Sequence, residues 1–123
     1  MLTALKEYLT KNGYDNVYID YMPAAETTKK AINCTEWDNT VAGINDGTGT
    51  HYIQIQVRDA DYKSAYTTCK SIFELLDSGP DETIIDLTDD VFCIARPRRA
   101  PLTYARDNLG VTIYCEIALW GKI

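Results

Sequence analysis

Between His51 and Leu76 the chain reads HYIQIQVRDADYKSAYTTCKSIFELL, and the spacing of its apolar residues changes partway through. Ile53, Ile55 and Val57 alternate with Tyr52, Gln54, Gln56 and Arg58, the period of a strand with one face buried. From Tyr62 the apolar and small residues fall three and four apart: Ala65, Tyr66, Cys69, Ile72, Phe73 and Leu76. That is the period of an amphipathic helix. Asp59 or Asp61 can cap its first turn, and Ser78-Gly79-Pro80 stops it. A half-buried strand feeding directly into such a helix predicts a mixed α/β fold, of the α+β kind.

The flanking patterns fill in the rest. Leu2, Leu5, Tyr8 and Leu9 predict a first helix over residues 2–12, closed by Asn12-Gly13. VYIDY at 17–21 alternates as a strand, and Met22-Pro23 ends it. Residues 30–37 predict a second strand with Ile32 and Cys34 inward. Residues 38–50 are rich in Gly, Asn, Asp and Thr, with a turn signal at Asn45-Asp46-Gly47. Residues 30–58 therefore read as a long hairpin whose tip is mobile in the free protein. Two short strands follow at 84–88 and 91–96, joined by an acidic turn. Residues 96–108 read as irregular, and 110–121 as a long closing strand. The expected order is α-β-β-β-α-β-β-β in one domain over 1–123. Its sheet is mostly antiparallel, and both helices pack on one face.

Composition narrows the function. The formal net charge is −6, which disfavours non-specific adhesion to DNA or anionic lipid. No apolar run reaches the roughly 18 residues of a membrane span. The first residues mix charged and apolar side chains, unlike an export signal. Cys34, Cys69, Cys93 and Cys115 form no C-x-x-C pair and read as buried, reduced thiols; there is a single histidine, His51. No nucleophile is spaced to use His51, so a structural role is expected for it. Gly43, Gly47 and Gly49 precede a strand and follow no phosphate-loop pattern. Asp38, Asn45 and Asp46 do not have the spacing of a calcium loop. Catalytic, cofactor-binding and metal-ligating residues are therefore expected to be none.

Two features point to association. Arg96, Arg98, Arg99 and Arg106 form the one basic concentration of an acidic chain, while Asp86, Asp89 and Asp90 form its densest acidic group. A solvated loop, carboxylates of a neighbouring subunit and nucleic acid are three settings for these arginines. Tyr52, Gln54, Gln56 and Tyr114 fall on the polar side of strands, where a tyrosine's apolar body and polar tip suit a contact surface; packing beneath the long hairpin is the other setting for these tyrosines.

The passage YIQIQVRDADYKSAYTTCKSIFELLDS also resembles the central segment of the tail terminator family of long-tailed bacteriophages. These proteins are also called minor capsid or tail completion proteins. Val57, Arg58, Ala65, Ile72, Leu75 and Leu76 occupy the family's places. Downstream, Pro101, Leu102, Asp107 and Gly110 match the approach to its last strand, and Pro23 fits its first strand–proline step. Val111 stands where the family often has arginine. The resemblance implies a small subunit of a hexameric ring without catalysis or cofactor. Such a ring caps the head-proximal end of the tail tube, with the major tail tube protein and the head–tail connector protein as partners. It implies a virion location after assembly in the host cytoplasm, with genomic DNA passing through the lumen without sequence-specific binding. Alternatives are a head completion or connector protein, a tail tube protein, a host ligand-binding α/β domain, and an enzyme.

Overall fold

The computed structural model describes residues 1–24, 30–41, 47–107 and 110–122. Each amphipathic pattern becomes an element. Helix α1 spans Leu2–Lys11 and buries Ala4, Leu5 and Leu9. Helix α2 spans Tyr62–Leu75, and the side chain of Asp61 accepts a hydrogen bond from the Ser64 amide to cap it. The strands are β1 (Val17–Ile19), β2 (Ala31–Val41), β3 (Thr48–Asp59), β4 (Ile85–Asp86), β5 (Phe92–Asp107) and β6 (Gly110–Lys122).

All six strands join one sheet in the order β1-β2-β3-β6-β5-β4. The β1–β2 pair is parallel and the other neighbours are antiparallel. The last strand in sequence thus lies in the middle, between β3 and β5. On one side of the sheet, Ile53, Ile55 and Val57 of β3 meet Ile117, Cys115 and Ile113 of β6 in register. These residues and the buried faces of both helices form one hydrophobic cluster. Helices cover that side; the opposite side carries the alternate residues.

Three expectations are corrected. Residues 96–107 are not irregular: they continue β5, which is 16 residues long. Three register shifts against β6 absorb the departures of this segment, at Pro97/Arg99, Arg99/Leu102 and Thr103/Ala105. Beyond it β4 pairs only with Phe92 and Cys93. Pro97 and Pro101 therefore sit in a strand whose outer edge is largely unpaired, where a missing N–H costs no ladder bond. The strand expected at 84–88 shrinks to Ile85–Asp86. The strand expected at 17–21 stops at Ile19, because Asp20 turns to φ 55°, a conformation that Asp tolerates better than most residues. The hairpin turn and its expected mobility fall on residues 42–46, outside the described residues; Gly47 follows at φ +68°.

Candidate assembly surface

The helix-free side of the sheet is built from rows of side chains running across the strands. One row joins Asn33, Gln56, Tyr114 and Leu102 in register; the next joins Thr35, Gln54, Glu116 and Arg99. A third joins Asp38, Tyr52, Ala118 and Arg96. Alternation in each strand places them here, since their neighbours are the core residues.

Local contacts fix the rows. Gln56 donates from Nε2 to Gln54 Oε1 at 2.9 Å. Arg99 Nε donates to Glu116 Oε2 at 3.4 Å. Tyr104 meets Tyr114 edge-on with centroids 5.8 Å apart. Trp37 packs on Tyr52 at 5.5 Å, and the Arg98 guanidinium lies 4.6 Å from the same tyrosine's ring centre. Trp37, Tyr52 and Arg98 thus span the sheet from β2 to β5, passing over the small Ala118. Beside them lies a concavity of about 610 Å³, lined by Tyr52, Ile94, Arg96, Arg98, Trp120 and Glu82 among others. Arg96 pairs there with Glu82. It is an amphipathic groove with two guanidinium groups, a lining suited to a carboxylate-bearing protein segment.

The sequence-marked arginines do not form one cluster. Arg96, Arg98 and Arg99 belong to the helix-free side. Arg106 aligns with Val111 of the core side and lies 5.5 Å from the ring centre of Tyr62 on α2. The register shifts in β5 cause the split, because each one changes which residues face which side. Asp86 lies in β4, on the same edge of the sheet as the arginines. Asp89 and Asp90 follow in a turn beside the start of α1, where Thr88 Oγ1 accepts from the amides of Asp90 and Val91. Among the described residues Asp86, Asp89 and Asp90 form no ion pair with Arg96, Arg98, Arg99 or Arg106. Sequence reasoning missed Trp37 and Trp120, which lie in strands but outside the quoted alternations.

Elsewhere the polar groups serve the fold. His51 is 6% exposed and its Nδ1 bonds to Glu36 Oε1. Arg58 Nη1 donates to the Pro23 carbonyl, so two positions quoted for the family resemblance meet and tie β3 to the segment after β1. Burial pushes the Cys34 thiol up to about 12 and Cys93 to about 11. Cys115 is raised by a hydrogen bond with Cys69 and by burial. Such thiols are held protonated, away from nucleophilic chemistry. Among the described residues no group of three or more His, Cys, Asp or Glu side chains could hold a metal ion. No helix among them is long and apolar enough to cross a membrane.

The model of the bacteriophage tail terminator protein family matches residues 2–116. The chain belongs to the bacteriophage tail terminator family. No curated protein matches it. The match takes in both helices, the first five strands and part of β6, hence nearly all of the helix-free side. Family membership gives this terminator-family chain a structural role in a phage tail, as a component of the virion.

Proposed function

We propose that this chain is a ring-forming tail terminator. Copies join head to tail into a hexameric ring that caps the head-proximal end of the tail tube. The ring then offers its other end to the head–tail connector protein. Its contribution is mechanical, with no reaction and no cofactor. The observation that carries this reading is the side of the sheet that no described helix covers, in a chain of this family. It bears Tyr52, Gln54, Gln56 and Tyr114 in rows, with an arginine-lined groove at one corner. Aromatic and arginine side chains of this kind favour protein contact surfaces.

A ring also explains the charge. Net negative charge on subunits that surround a DNA path weakens adhesion of the passing genome. The test is negative-stain imaging of the protein with tubes made from the tube subunit of the same phage. Single rings on one tube end, and tubes that stop lengthening, are the expected result. Filaments of this chain alone would identify a tube subunit instead.

A further inference from the structure

The sheet has two lateral edges, and each is left open over a different half. On one edge β1 pairs only with Ile32–Cys34. Beyond that point, from Thr35 to Val41, no described strand covers β2. On the other edge β4 covers only Phe92 and Cys93, so from Arg96 to Arg106 no described strand covers β5. Because β2 and β5 run in opposite directions through the sheet, the open halves lie at diagonally opposite corners. A second copy shifted along the strands would bring one open half against the other, with β1 and β4 fitting into the two steps.

The chemistry of the two edges is complementary. Residues 35–41 contain two carboxylates, Glu36 and Asp38, and no lysine or arginine, whereas residues 96–106 contain four arginines and no carboxylate. Both edges also expose large apolar groups. Trp37 and Val41 are 48% and 61% exposed on β2, and Leu102 and Tyr104 are 46% and 58% exposed on β5. Exposed Tyr62 and Tyr66 stack on α2, and Arg106 connects them to the β5 edge. Apolar groups ringed by opposite charges mark a contact between unlike patches.

We infer that the open half of β2 in one copy packs against the open half of β5 in the next, through side chains and without a continuous strand ladder. This inference rests on the ring reading and names its subunit contact. Pro97, Pro101 and the three register shifts deny β5 a regular row of donors, the usual protection of an edge against strand addition. The contact is heterologous, as closure by rotation requires. It also reassigns the partner of the arginines. Asp86 lies on their own edge, so the carboxylates available to them across a head-to-tail contact are those of the β2 edge, Asp38 foremost.

Cysteine cross-linking tests it. Thr40→Cys on β2 is combined with Thr103→Cys or Ala105→Cys on β5, and the protein is treated with a short bis-maleimide after assembly on tail tubes. The four native cysteines are buried and give the background. Double variants should yield a ladder of dimers, trimers and larger species, and each single variant only monomer. Dimers from a single variant would mean like edges meet, and would overturn the inference. So would a monomer-only gel from every combination while light scattering shows the protein assembled, a result that leaves the ring reading standing. Absence of any assembly by the unsubstituted protein in light scattering would remove both.

Discussion

Gly110 and Asp61 show how much of this fold rests on single positions. A Cβ at Gly110 would lie 2.5 Å from the Asp59 carbonyl oxygen, backbone that cannot swing aside. Gly110→Ala should therefore cost about 1–3 kcal/mol, as overpacking does, seen as a lower urea midpoint. Asp61→Ala removes the α2 cap and should cost about 1 kcal/mol, read from thermal melts followed by circular dichroism. The thiols make a pH prediction. The folded pKa values of Cys34, Cys93 and Cys115 are raised, so the unfolded chain ionises first as pH climbs. Stability is full below the ordinary thiol range and falls from about 9 upward, through about 11 for Cys93 and about 12 for Cys34. Each thiol adds a slope of about 1.4 kcal/mol per pH unit in that window. Cys34→Ala with Cys93→Ala should flatten the alkaline limb of a stability–pH curve; an unchanged limb would refute the assignment.

At the scale of elements, β5 is the strand that most departs from its sequence. Its prolines and register shifts look like breakers along the chain, yet they sit where the sheet has no partner to lose. They also keep that edge from recruiting strands indiscriminately. Pro97→Val with Pro101→Val should leave the fold intact and raise aggregation, measured as light scattering over time at constant temperature. Helix α2 is the opposite case. Its periodicity, cap and buried residues Ala65, Cys69 and Ile72 agree with one another.

For the whole molecule, the decisive asymmetry lies between the two sides of the sheet. One side is closed by helices and forms the core. The other is open, carries Arg98 over Tyr52 and Arg99 beside Glu116, and holds little of the folding energy. Arg98→Glu with Arg99→Glu should abolish assembly while moving the monomer's melting temperature by only a few degrees. Sedimentation velocity and calorimetry on the same sample would check both halves. Intact rings would take these arginines out of the assembly surface.

Element order, the inward faces of β2 and β3 and the family resemblance were legible in the chain, because alternation and three-to-four spacing are local consequences of burial. The rows Tyr52–Ala118–Arg96 and Gln54–Glu116–Arg99 were not, since they depend on β6 inserting between β3 and β5 from the far end of the sequence. The same long-range pairing turned residues 96–107 from loop into strand, and it moved Arg106 to the side opposite Arg96, Arg98 and Arg99. Local pattern sets which way a side chain points within its own strand; only the register between distant strands sets what it stands beside.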